Sequence, residues 1–129
     1  MVDTSLNQGL IEAGQELIRR LDKEGLGPDA AFWLYSSESG TWRLYIAQSK
    51  VGRSGPKVIY RQIQKLLKAQ HDESDHIELS DIGLMPSDSP FITTLRRAVQ
   101  TAPGIAGVRF KNNVINGNLI EDAYIYRIA

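Results

Sequence analysis

The chain predicts an α+β fold, a single domain in which a mixed, mainly antiparallel sheet of about five strands is packed by three helices in the order α-β-β-α-β-α-β-β. Three observations carry this. The stretch Ala30 to Lys50 (AAFWLYSSESGTWRLYIAQSK) alternates aromatic and β-branched residues on both sides of a Ser/Glu/Gly turn, the pattern of a β-hairpin. Three other stretches carry apolar residues at helical spacing, and the C-terminal part carries a second strand pair around Asn116-Gly117. At 129 residues, the length suits one domain with its own core.

Helix 1 is read from Leu6, Leu10, Ala13, Leu17, Ile18 and Leu21, with Ser5 and Gln8 as a capping box and Gly25 as its stop. Gly27-Pro28-Asp29 turns the chain into the hairpin. An even loop, whether Ser39-Gly40 or Ser37 to Gly40, puts Trp33 and Tyr35 on one face with Trp42, Leu44 and Ile46, and Phe32, Leu34, Arg43 and Tyr45 on the other. After the VGRSGP turn, helix 2 runs from about Pro56 to Gln70, with Ile59, Ile63, Leu66 and Leu67 inward and Lys57, Arg61, Lys65 and Lys68 outward. A strand is expected at Ile77 to Leu79, and the following SDIGLMPSDS has no assignment. Ser89 caps helix 3 with Pro90 at its first position; Phe91, Ile92, Leu95, Ala98, Val99 and Ala102 form its buried stripe, and Pro103-Gly104 ends it. Val108, Phe110 and Val114 then alternate with Arg109, Lys111 and Asn113, and a last strand runs from Leu119 to Ile128.

Cysteine is absent, which fits a reducing compartment and excludes thiol catalysis. The opening MVDTSLNQGLIEAG has neither a basic nor a continuous apolar leader segment, and no apolar run is long enough to span a bilayer, so a cytoplasmic protein without membrane contact is expected. Formal net charge is zero, which argues against bulk electrostatic capture of nucleic acid. The charges nevertheless fall in blocks. Arg43 to Lys68 holds seven basic residues and no acid, whereas Asp72 to Asp88 holds six acids and no Lys or Arg.

Pro28-Asp29 followed by Gln48-Ser49-Lys50 resembles the PD-(D/E)xK signature of restriction-endonuclease-like nucleases in its QxK variant. The resemblance implies that Asp29 holds Mg²⁺, that Lys50 assists at the scissile phosphate with Gln48 in the acid's place, and that Glu12 or Glu16 joins the metal site. Val51-Gly52-Arg53-Ser54-Gly55 resembles the GxxG loop of KH RNA-binding domains, but it follows a strand where that loop joins two helices. His71, Asp72, Asp75 and His76 have metal-compatible side chains without a recognised spacing and read as a solvated loop. Residues 31 to 64 also look like a group of small bacterial α+β proteins without an assigned activity, a resemblance that makes Trp33, Trp42, Gly55, Pro56 and Tyr60 a structural framework.

The leading expectation is a non-catalytic interaction module, self-associating as a homodimer or binding another protein, with no cofactor and with Phe32, Leu34, Arg43 and Tyr45 as its contact face. The alternatives are the Mg²⁺-dependent nuclease (Asp29, Gln48, Lys50) and a nucleic-acid-binding domain using Lys50, Arg53, Lys57, Arg61, Lys65 and Lys68.

Overall fold

The computed structural model describes residues 6–49, 56–68, 77–102, 104–115 and 117–129. Among the described residues, helices α1 (Gln8–Lys23), α2 (Pro56–Lys68) and α3 (Pro90–Ala98) pack on a five-stranded sheet. The strands are β1 (Ala30–Ser36), β2 (Thr41–Ala47), β3 (Ile82–Met85), β4 (Val108–Ile115) and β5 (Asn118–Ile128), in the spatial order β3-β2-β1-β5-β4. Only β2 and β3 run parallel, joined through α2 as a strand-helix-strand crossover. The expected mixed α+β sheet and its element order are those observed.

The β1–β2 hairpin closes through the four-residue loop Ser37 to Gly40, where the Gly40 N–H donates to the Ser36 carbonyl at 2.8 Å and Gly40 takes a φ of 66°. Trp33 therefore faces Leu44 and Tyr35 faces Trp42, the parity that an even loop requires. The loop is held from β5 as well. Glu121 accepts from the Ser37 hydroxyl and backbone N–H, and these bonds keep its carboxyl below the usual carboxylate range. Their contribution is fully present above that range and is lost as the pH falls below it, through the lowered pKa of the folded state.

The N-cap of α1 is Asn7, whose Oδ1 accepts from the Leu10 N–H at 2.8 Å; Ser5, the expected cap, lies outside the described residues. Gly25, at φ 73°, ends the helix as expected. Three readings are corrected. Leu79–Asp81 forms a 3-10 turn where a strand was expected, because Asp81 bonds the Glu78 backbone N–H, and the strand comes later, at Ile82–Met85. Helix α3 starts with Ser89 and Pro90 as read but stops at Ala98. Beyond it, Thr101 accepts from and donates to the Ile128 backbone, which keeps the segment extended and leaves Ala102 exposed. In β4, Asn112 adopts a φ of 48°, so the inward alternation of Val108 and Phe110 passes to Ile115 while Val114 is 68% exposed.

Both faces of the sheet are covered. Leu17, Ile18 and Leu21 of α1 and Ile59 and Ile63 of α2 pack on Ala31, Trp33, Leu44, Ile46 and Tyr126. On the other face, Ile92 and Leu95 of α3 pack on Ala30, Phe32, Ala47, Ala123 and Ile125. At the β1–β5 junction, Ala31 pairs with Arg127 but Phe32 with Ile125, so Tyr126 is the extra residue of a β-bulge. Tyr126 and Arg127 both engage α1 or its flanks. The Tyr126 hydroxyl donates to the Ile11 carbonyl at 2.6 Å and accepts from Trp33 Nε1 at 2.8 Å. Burial pushes this phenol far above its ordinary pKa, so it remains a neutral donor. Arg127, 6% exposed, grips both carboxylate oxygens of Asp22 and also donates to the carbonyls of Pro28 and Gly104.

Gly14 lets α1 approach this closely, because a Cβ there would collide with the Tyr126 hydroxyl and lie 3.1 Å from Trp33 Nε1. Gly14→Ala is expected to lower stability by about 1–3 kcal/mol through overpacking, although Ala is the better helix former by about 1 kcal/mol. Tyr126→Phe alone orphans the Trp33 N–H and removes the second donor on the Ile11 carbonyl, at a cost of about 1–3 kcal/mol. In urea titrations the double variant should lose less than the two single losses combined; strict additivity would show that the close contact is not what requires glycine.

Candidate functional site

Three places where the sequence reading set functional residues can now be located, and the structure adds a fourth. The first is the sheet face of Phe32, Leu34, Arg43 and Tyr45. The four share a face, as the hairpin parity requires, but α3 covers it. Phe32 is fully buried, its ring centroid 5.9 Å from that of Phe91 and 5.7 Å from that of Tyr45. Leu34 and Tyr45 are half-buried, and only Arg43 is exposed. Its guanidinium lies over the Tyr45 ring at 5.7 Å and donates to the Ile82 carbonyl at 3.2 Å, tying β2 to β3. As a contact surface this face is largely closed by the chain itself.

The second place is the open end of the hairpin. Ala30 pairs with Ala47, and the Asp29 N–H donates to the Ala47 carbonyl at 2.9 Å, so Asp29 and Gln48 are neighbours as the strand count predicts. The Asp29 carboxylate accepts from the Ser87 hydroxyl, and its carbonyl accepts from the Ala129 N–H at 2.9 Å. Gln48 is 4% exposed and its backbone N–H donates to the Met85 carbonyl. Lys50 lies outside the described residues. Mg²⁺ is commonly held by one or two carboxylates together with substrate phosphates. Here Asp29 supplies one carboxylate, already engaged by Ser87, and Glu16 is paired with Arg19 and Arg20 on α1. Among the described residues no group of three or more His, Asp or Glu side chains could hold a metal ion. The His71, Asp72, Asp75 and His76 cluster, like Lys50, falls outside the described residues.

The third place is α2. Its amphipathic pattern sends Ile59 and Ile63 into the core and leaves Lys57, Arg61, Lys65 and Lys68 exposed on the far side. The helix contains no acidic residue. The ion pairs among the described residues are Arg19 and Arg20 with Glu16, Arg109 with Asp122, and Arg127 with Asp22. None of them engages an α2 cation. Tyr60 sits toward the sheet, its hydroxyl donating to the Ile82 carbonyl at 3.3 Å. Arg53, assigned to the same stripe, lies outside the described residues.

The fourth place was not anticipated. Thr94, Arg97, Ala98, Val114 and Ile115 line a cleft of about 320 Å³ between α3 and the tip of the β4–β5 hairpin. Beside it, Val114 and Leu119 pair across the strands and are 68% and 61% exposed. The one sequence signal was the Asn112-Asn113 pair inside an otherwise alternating strand.

Compared with protein-family models, with curated proteins and with solved structures, the chain matches none, and the functional argument therefore rests on the geometry above. No described helix is long and apolar enough to cross a membrane.

The Asp29 corner makes a structural prediction that does not involve a metal. Asp29→Ala removes the Ser87 bond and should cost about 1 kcal/mol, read as a lower urea midpoint. Asp29→Asn keeps an acceptor and should stay nearer the parent.

Proposed function

We propose that this protein is a non-catalytic interaction module whose contact surface is the outward face of α2 and whose partner is anionic. The observation that carries the reading is the row of four exposed cations, Lys57, Arg61, Lys65 and Lys68, on a helix with no acid and with no ion pair among the described residues. Elsewhere among the described residues Arg109 is matched by Asp122 and Glu16 by Arg19 and Arg20, and the cations in no ion pair, such as Lys23, Arg43 and Lys111, do not form a row on one helix. An unmatched row of one sign raises the local concentration of oppositely charged partners even when the formal net charge is zero. The Phe32, Leu34, Arg43 and Tyr45 face supports this less well, since α3 covers its centre.

The module should be retained on immobilised polyglutamate at about 50 mM salt and released as salt screens the contact, the Debye length falling from about 10 Å at 0.1 M to about 3 Å at 1 M. Arg61→Glu/Lys65→Glu should pass through unretained while its circular dichroism matches the parent. Retention of that variant would place the contact elsewhere. A second outcome bears on the nuclease alternative, which the adjacency of Asp29 and Gln48 favours. We expect no Mg²⁺- or Mn²⁺-dependent DNA cleavage; cleavage abolished by both Asp29→Ala and Lys50→Ala would replace the present reading with that one.

A further inference from the structure

Resting on the anionic-partner reading, we infer that the α2 face binds the phosphate backbone of a nucleic acid duplex. Lys57, Arg61, Lys65 and Lys68 follow one another at four, four and three residues, successive rises of about 6, 6 and 4.5 Å along a helix of 1.5 Å per residue. The row is thus about 16 Å long. A duplex presents one phosphate per about 3.4 Å of axis on each strand, and because the strand winds about that axis neighbouring phosphates are about 6–7 Å apart, close to the spacing of successive cations on the helix. Rows of cations at this pitch match a regular polyanion better than a single anionic headgroup or carboxylate.

The rest of the face narrows the partner. On the helical wheel Gln64 and Val58 flank the four cations, one on each side, and both are exposed, Val58 at 46%. An amide and a methyl-bearing side chain are groups that can approach base edges once the backbone is held. Single-stranded nucleic acid is gripped chiefly by stacking on aromatic rings, and this arc has none, because Tyr60 is turned to the Ile82 carbonyl. An acidic peptide needs an apolar anchor site beside the charges; the described clefts, bordered by Leu95, Ile115 and Ala98, lie by α3 on the opposite face of the sheet. An anionic membrane surface requires an apolar stripe that can enter the lipid, whereas Ile59 and Ile63 are spent on the core.

The test uses the full chain and a fluorescently labelled 20-base-pair duplex of arbitrary sequence, with anisotropy read between 50 and 200 mM salt. Four phosphate contacts give a slope of log K against log salt of about −3 to −4, so binding should weaken on the order of 100-fold over that range. Arg61→Gln/Lys65→Gln should bind at least tenfold more weakly at 50 mM salt and lower the slope by about 2. Lys57→Gln/Lys68→Gln provides an independent pair and should do the same. A single strand of equal length and polyglutamate of equal charge are the competitors. Binding of polyglutamate without the duplex, or tighter binding of the single strand, overturns this inference and leaves the anionic-partner reading standing. Duplex binding unchanged in both double variants overturns the α2 site. Failure to bind either polyanion overturns this inference and the reading beneath it.

Discussion

The hydroxyl of Tyr126 is the point on which the two sides of the first core layer depend. It reaches the sheet through Trp33 and helix α1 through the Ile11 carbonyl, and Gly14 is the gap that admits it. A buried phenol without both partners would be left with unpaired polar groups in an apolar layer. The bulge is what makes the contact possible. By adding one residue to β5 it presents Tyr126 and then Arg127 to α1, the first as a hydrogen-bond relay and the second as a fork on Asp22. Once α1 is fixed in this way, α2 packs beside it, and the orientation of the basic row follows from the burial of Ile59 and Ile63.

This dependence explains which parts of the molecule could be read from the chain. The β1–β2 hairpin was legible because alternation and a four-residue loop are both local, and together they set which side chains share a face. The Ser89-Pro90 start of α3 was legible for the same reason. Strand β3 was not. It has four residues, it pairs in parallel with a strand more than thirty residues earlier, and its Gly83 looks like a breaker until the Tyr45 ring is seen beside it, where a Cβ would lie 2.7 Å from Cε1. The end of α3 was lost to Thr101, whose exchange with Ile128 no local pattern announces.

The same distinction separates the candidate sites. A helix displays its wet and dry faces in sequence alone, so Lys57, Arg61, Lys65 and Lys68 were found where the structure leaves them exposed. A sheet face does not reveal its cover. Phe32 reads as a surface aromatic only until Phe91, far along the chain, is brought onto it. Asp29 and Gln48 illustrate a third situation: the strand count predicted their proximity correctly, yet the same hydrogen bond that brings them together is an ordinary end to a ladder.

The left-handed backbone at Asn112 has a consequence for how copies of the protein meet one another. Strand β4, eight residues long, is an edge of the sheet, where alternate residues turn their main-chain donors and acceptors away from β5. A straight margin of that length would accept a strand from a neighbouring copy and could go on to polymerise. Asn112 bends it near its middle, and Arg109 and Lys111 stand on either side of the exposed stretch before it. Exposed Val114, with Leu119 beside it on β5, therefore sits beyond the bend, where β4 runs only to Ile115, while the part before the bend carries Arg109 and Lys111, so neither part is a long uncharged template.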